Sequence, residues 1–154
     1  MTTTIEQKLA SLGITLPTPT PPLANYVPVV RTGNLLFVSG QVSIDGAGKI
    51  TTGKLGGGVS IEAGQAAARL CAINILAQVK ANIGDLEKVV RVVKLVAFVN
   101  SAPEFTDQPK VVNGCSDLLV EVLGDKGRHA RSAVGIAALP FDAAVEVEAV
   151  VEIA

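Results

Sequence analysis

Apolar and polar positions along the chain predict three helices and five strands. Apolar residues at helical spacing, together with stop signals such as glycine, predict helices at 5–12, 61–82 and 110–123. Runs of β-branched residues, or strict apolar and polar alternation, predict strands at 26–31, 35–42, 89–99, 130–139 and 143–153. The short turns at 32–34 and 140–142 predict that the first two strands form one hairpin and the last two a second hairpin.

After the short first helix, the element order is ββ-α-β-α-ββ. This order indicates an α+β fold in which two helices cover one face of a sheet, and the other face is left for another subunit. On the helix at 61–82, which Ser60 caps and Gly84 ends, one apolar stripe predicts the face that packs on the sheet. The stripe consists of Ala66, Leu70, Ile73 and Ala77, with Cys71 beside it.

Two segments break the pattern of helices and strands. Residues 16–22 hold four prolines, which fix φ and remove amide donors, so this segment should run extended over the surface. Residues 45–58 are rich in glycine and end in three consecutive glycines, which predicts a flexible loop before the second helix. We therefore divide the chain into an N-terminal helix and extended arm at 1–24 and one domain at 25–154.

Composition narrows the class of protein. Apolar residues make up 49% of the chain and charged residues 18%, against roughly 25% charged residues in ordinary globular proteins, so part of the apolar excess should lie in a subunit interface. The 13 basic and 14 acidic residues give a net charge of −1 without a basic run, which disfavours nucleic-acid binding. No apolar run approaches bilayer length and the N-terminus resembles no signal peptide, so we expect a cytoplasmic protein.

Metal and nucleotide sites are also disfavoured. Cys71 and Cys115 fall within helical patterns and are expected to be buried, free thiols, while His129 is the single histidine, so the ligand set of a zinc site is missing. Residues 48–55 nearly match a phosphate-binding loop. Leu55 stands where the magnesium-binding hydroxyl is required, and no helix is predicted to start there.

Four side chains remain as candidates for chemistry, each with an ordinary structural alternative. His129 is a general base or a surface residue of a loop. Arg131, at the start of an apolar strand, is either solvated or positioned to hold a planar carboxylate by two parallel hydrogen bonds. Glu146 and Glu148 are either the solvated face of an edge strand or functional carboxylates.

Two segments resemble the signatures of the RidA/YjgF family. The first is LLFVSGQ at 35–41, which follows RTGN at 31–34. The second combines ARSAV at 130–134, LP at 139–140 and VEVEA at 145–149. The resemblance extends from residue 26 to the end of the chain. It implies a chorismate-mutase-like fold, and a homotrimer whose sheets form a central barrel with three clefts between subunits.

The resemblance also implies an activity and a set of site residues. Family members hydrolyse reactive enamines and imines such as 2-aminoacrylate and 2-iminobutyrate to 2-oxo acids and ammonia, without a cofactor. By correspondence, Arg131 binds the substrate carboxylate and Glu146 lies near the catalytic water. The expected substrate-binding residues are Tyr26, Ser39, Gly40, Asn113 and Ala133.

Three positions depart from the family pattern. Ala133 stands where a cysteine is frequent, His129 where a proline is usual, and Gly135 where an acidic residue is usual. These departures leave the substrate open. Two other functions stay under consideration: a translation-inhibiting endoribonuclease of the L-PSP type, and a non-catalytic trimer that binds small carboxylates or offers a chaperone-like surface.

Overall fold

The structure is a computed structural model, which describes residues 3–21 and 24–154. The helices are α1 (Ile5–Ser11), α2 (Ile61–Ile83) and α3 (Gln108–Leu123). The strands are β1 (Val29–Thr32), β2 (Leu35–Val42), β3 (Lys54–Leu55), β4 (Gly58–Val59), β5 (Val89–Asn100), β6 (Ala130–Ile136) and β7 (Val145–Ile153). Parts of the predicted extended arm, residues 22 and 23, lie outside the described residues.

Five strands form one mixed sheet in the order β1-β2-β7-β5-β6. The C-terminal strand β7 lies in the middle and pairs antiparallel with both β2 and β5. On β7 the side chains alternate as predicted: Val145, Val147 and Ala149 are buried, whereas Glu146 is half-buried and Glu148 exposed. The mixed α+β fold expected from the element order is therefore confirmed.

The prediction of a second hairpin was wrong. Strand β6 pairs with β5 in parallel, and β5 separates it from β7. The connection between β6 and β7 crosses the end of β5, where the buried side chain of Asn100 donates hydrogen bonds to Ala143 O and Asp142 Oδ1, both at 3.1 Å. Alternation along two strands identifies their faces, but it does not show whether a third strand lies between them.

The glycine-rich segment contains structure that its composition did not predict. Strands β3 and β4 pair in parallel, and Leu55 is fully buried in the core. The Nζ of Lys54 donates to Asn100 Oδ1 at 2.8 Å. This segment is therefore anchored to the end of β5 rather than free as a loop.

The N-terminal helix packs on the helical layer. Ile5 and Leu9 are buried in the same core as α2 and α3, and Glu6 forms a 2.8 Å ion pair with Lys80 of α2. The following residues 16–19 lie beside Ala77 on α2. No helix within the described ranges is long and apolar enough to cross a membrane.

The face of the sheet that points away from the helices carries exposed apolar side chains, and no described element covers it. Val30, Phe37 and Val134 on this face are 52%, 45% and 44% exposed. Their strand partners in the register, such as Val150 opposite Phe37, continue the apolar surface across the sheet. Exposed apolar patches of this kind mark sites of contact with another molecule.

Helices α2 and α3 approach closely at Gly114. A Cβ added at Gly114 would overlap the carbonyl oxygen of Gln65 and lie 2.7 Å from its carbonyl carbon. The obstacle is backbone, so it can be relieved only by moving one helix. The absence of a side chain at Gly114 therefore sets the spacing between the two helices.

We predict that Gly114→Ala lowers the free energy of unfolding by about 1–3 kcal/mol, the usual cost of overpacking. The gain in helix propensity, at most about 1 kcal/mol, opposes this cost but is smaller. Urea denaturation at one fixed protein concentration measures the difference. Gly46→Ala is the control, because that glycine has no neighbour within 4 Å. A Gly114→Ala variant as stable as the wild type would show that the helices can separate without cost.

Candidate functional site

Arg131 lies on β6 and points toward the helical layer. Its register partner on β5 is Leu95, which is fully buried on the helix side of the sheet. The guanidinium Nη1 donates to Asn113 Oδ1 at 2.9 Å and to Ser116 Oγ at 3.0 Å, and Nη2 donates to Pro109 O at 3.1 Å. One face of α3 therefore holds the guanidinium through three hydrogen bonds.

All three acceptors that hold Arg131 are neutral. Among residues 3–21 and 24–154, no carboxylate lies within 4.0 Å of the guanidinium. In the same ranges, no acceptor engages its Nε–H or its second Nη2–H. A half-buried cation whose charge is not compensated, with donors left over, is suited to bind an anion, and a carboxylate matches the planar fork of a guanidinium.

Ser116 links Arg131 to His129. The Oγ of Ser116 lies 2.8 Å from His129 Nε2, and His129 Nδ1 lies 2.6 Å from Gly127 O. Burial lowers the pKa of His129, and the nearby charge of Arg131 lowers it further, beyond the opposing effect of the hydrogen bond to Gly127. The imidazole is therefore neutral at pH 7.

Neither Ser116 nor Pro109 was predicted to be a neighbour of Arg131. The available signal was their spacing: Pro109, Asn113 and Ser116 follow one another at steps of four and three residues, so they share one face of α3. That spacing alone does not show which strand faces the helix, because the packing of α3 against β6 is a tertiary property.

Glu146 lies on the other face of the sheet, against Gly40. A Cβ added at Gly40 would overlap the carboxylate of Glu146, so glycine is required here for the carboxylate to reach its position. Burial raises the pKa of Glu146, and the like charge of Glu148, two residues along the same strand, raises it further. A carboxylate with a raised pKa is a better proton acceptor than an ordinary one.

Gly40 and Ser39 occupy an irregularity in the pairing of β2 with β7. Between Val38 and Gln41 the register shifts, which is characteristic of a β-bulge. Ser39 Oγ donates to Pro28 O at 3.0 Å, and Ser39 also lines a surface cavity of about 280 Å³ together with Glu148. Tyr26, predicted to start the first strand, precedes β1 and is 60% exposed.

Ala133 and Gly135 follow Arg131 on the same face of β6. Ala133 is partly buried against the core. A Cβ at Gly135 would lie 2.6 Å from the side-chain amide nitrogen of Gln108, so that amide occupies the space beside this glycine. Gly135, which replaces the usual acidic residue, therefore lies beside a polar side chain of α3. The sequence alone did not indicate this contact.

The structure groups the predicted site residues on two faces. Arg131 lies with Asn113 and on the same face as Ala133, whereas Glu146 lies with Gly40 and near Ser39. Because Glu146 alternates with the buried Val145 and Val147, it points away from the helices that hold Arg131. Within one chain, the sheet therefore separates Arg131 from Glu146.

The two cysteines are free and fully buried on α2 and α3, as predicted. Burial raises the pKa of the Cys115 thiol to about 12 and that of Cys71 also well above its usual value. Neither thiol is therefore a nucleophile at neutral pH. Among the residues that the structure describes, no group of three potential metal ligands is found.

Comparison with known proteins gives a family match over residues 6–153. The family is described as YjgF/chorismate mutase-like, and its description proposes an endoribonuclease activity for its members. The chain is 51% identical over 150 residues to protein TCP17 of Trypanosoma cruzi, covering 97% of this chain and 94% of that protein.

Solved structures are similar as well. A protein of unknown function from Agrobacterium tumefaciens is 55% identical, with a TM-score of 0.90 and coverage of 97% of this chain and 94% of that one. RidA from an Antarctic Psychrobacter is 27% identical, with a TM-score of 0.62 and coverage of 90% and 96%. With its two signatures and this match along nearly its whole length, the chain belongs to the YjgF/RidA family.

Proposed function

We propose that this protein hydrolyses reactive enamine and imine intermediates that carry a carboxylate, such as 2-aminoacrylate and 2-iminobutyrate, to 2-oxo acids and ammonia. The observation that carries the proposal is the guanidinium of Arg131. It is half-buried, its three partners among the described residues are neutral, and these leave two of its donors for a ligand. A carboxylate beside the reacting carbon is the anion that fits this arrangement.

The reaction needs little further machinery, because a protonated imine is already a strong electrophile. Water adds to the carbon of the protonated imine and gives an amino alcohol. The proton of its hydroxyl group passes to the nitrogen, the carbon–nitrogen bond breaks, and ammonia leaves as the carbonyl forms. Glu146 takes a proton from the attacking water, and main-chain groups near Gly40 and Ala133 orient the imine. Most of the rate gain then comes from positioning and electrostatics.

A site that uses both Arg131 and Glu146 requires two copies of the chain. The sheet separates these residues within one copy, and apolar side chains on its outer face are exposed. We propose a homotrimer, as in the family architecture, in which three outer faces enclose a barrel. Each cleft between subunits then takes Arg131 from one copy and Glu146 from its neighbour.

Two alternatives are weaker on chemical grounds. An endoribonuclease needs a basic surface with aromatic residues for stacking, yet the net charge is −1 and aromatic residues are 3% of the chain. A trimer that only binds carboxylates would share the Arg131 site. Release of ammonia from 2-aminoacrylate generated in situ separates the deaminase from both.

The first functional prediction concerns Arg131. Arg131→Ala should reduce imine hydrolysis by about tenfold to a hundredfold or more, since a hydrogen bond to a charged group contributes about 1.5–3 kcal/mol. Arg131→Lys should recover only part of the activity, because an ammonium keeps the charge and loses the planar fork. The measurement is the rate of 2-iminobutyrate hydrolysis. Full activity in Arg131→Ala would show that this arginine is structural.

The second prediction tests whether the site is shared between subunits. Arg131→Ala and Glu146→Gln should each be nearly inactive alone. Co-expressed, they should recover about a quarter of wild-type activity if subunits of a trimer mix at random, since some clefts then hold both native residues. Light scattering confirms the trimer, and differently tagged chains confirm the mixing. A stable monomer, or mixed trimers without recovered activity, would contradict a shared site.

The third prediction concerns pH. If Glu146 acts as the base, activity falls as pH drops through its raised pKa. Glu148→Gln removes a like charge that raises this pKa, so the acid limb of the kcat/KM profile should move to lower pH. Comparing the variant with the wild type on one substrate cancels the titration of the imine itself. An unchanged acid limb would mean that a group other than Glu146 limits the reaction.

A further inference from the structure

The donors and acceptors around Ser116 can be assigned in only one way. Gly127 O can only accept, so the proton of the neutral His129 imidazole is on Nδ1 and Nε2 is an acceptor. Ser116 O–H must then donate to Nε2, because two acceptors cannot bond to each other. The Ser116 oxygen presents its lone pairs to Arg131 Nη1, which donates to it. The chain of bonds runs from Arg131 through Ser116 and His129 to Gly127.

We propose that His129 is a positioning residue for the anion site: through Ser116 it fixes the guanidinium of Arg131 in the orientation that receives a carboxylate. The inference rests on the proposed function only in taking a carboxylate as the ligand of Arg131. Both ring nitrogens of His129 are engaged by Ser116 and Gly127, so it acts on the ligand through Arg131, and we expect its effect on affinity and not on the chemical step.

The need for positioning follows from the length of the arginine side chain. Its rotamer freedom costs up to about 2 kcal/mol when it is fixed, and a guanidinium that moves between rotamers binds a planar carboxylate less well. Pro109 and Asn113 hold two of the N–H groups, and Ser116 holds a third. Ser116 can serve as an acceptor of fixed orientation only while its own proton is committed to His129. Burial of the imidazole keeps it neutral and so preserves this arrangement.

Substitutions separate the hydrogen bonds of His129 from its bulk. His129→Leu removes the acceptor for Ser116 and the donor to Gly127, and should weaken binding of 2-oxobutyrate by about tenfold, the upper end of the effect of one hydrogen bond between neutral groups. Ser116→Ala should do the same. His129→Gln carries both an acceptor and a donor, and should bind within about threefold of the wild type. Ser11→Ala, which removes a hydroxyl on α1, is the control.

Affinity is measured by calorimetry with 2-oxobutyrate, a stable carboxylate of the expected product class.

Nitrogen NMR gives a second measurement. His129 is the only histidine in the chain, so its Nε2 resonance can be assigned without ambiguity once any purification tag is removed. We expect this resonance to shift in Ser116→Ala. Thermal denaturation confirms that each variant is folded. In the imine assay, His129→Leu should raise KM and leave kcat unchanged.

Several results would overturn the proposal. His129→Leu with wild-type affinity would show that the imidazole is not needed to position Arg131. Equal losses in His129→Leu and His129→Gln would assign the effect to packing. A wild-type protein that does not bind 2-oxobutyrate would remove the carboxylate site itself. Binding with the expected pattern of losses, but no ammonia release by the wild type, would refute the deaminase function and leave the role of His129 standing.

Discussion

Strand β7 hydrogen-bonds to β2 on one side and to β5 on the other, so its alternation of apolar and acidic residues fixes the faces of the whole sheet. Because side chains alternate with a period of two, a register slip by one residue would turn Glu146 and Glu148 into the core. The pairing of β7 with β5, and of β5 with β6, also fixes the faces of β6. It places Arg131 on the helix side of the sheet. The positions of both charged candidates for the site therefore follow from one strand.

The environment of Arg131 shows how a folded chain can hold a cation ready for a ligand. A partly buried charge loses some of its hydration, and that loss must be offset by hydrogen bonds or by an opposite charge. Here α3 supplies neutral oxygen atoms from Pro109, Asn113 and Ser116. They stabilise the guanidinium and leave its charge uncompensated. A carboxylate residue in their place would have satisfied the arginine and closed the site.

Much of the fold could be predicted from the sequence. The prediction for α2 began at the right residue and ended one residue early, and Ser60 caps it through a hydrogen bond from Ala63 N as expected. The apolar stripe predicted for α2 was right in part: Cys71 and Ala77 are buried, and Ile73 packs against the core. Ala66 is exposed and Leu70 half-exposed, and the buried face instead includes a neighbouring row of small residues. Alanine packs well but carries little hydrophobic signal, so the larger side chain of Leu70 shifted the predicted stripe to one side of the buried face.

The missed parts of the fold and of the site share a physical cause. Alternation reports which face of a strand is buried, but the neighbours of a strand depend on contacts between distant segments. The order of β6, β5 and β7 was therefore not readable from the chain, nor was the separation of Arg131 from Glu146. Ser116 is likewise an ordinary helical serine until α3 is placed beside β6. Within α3, spacing alone could have grouped Ser116 with Asn113.

The central place of β7 also has a consequence for synthesis of the protein. β7 follows both β2 and β5 along the chain, yet these two strands are joined in the sheet only through it. Until it emerges, both strands expose an unpaired edge, and β5 is rich in valine. Such edges pair readily with other chains, so nascent copies held close together on one messenger are vulnerable to aggregation. Completion of the sheet therefore waits for β7, and loss of even a few residues of this strand would leave the two halves of the molecule without their common strand.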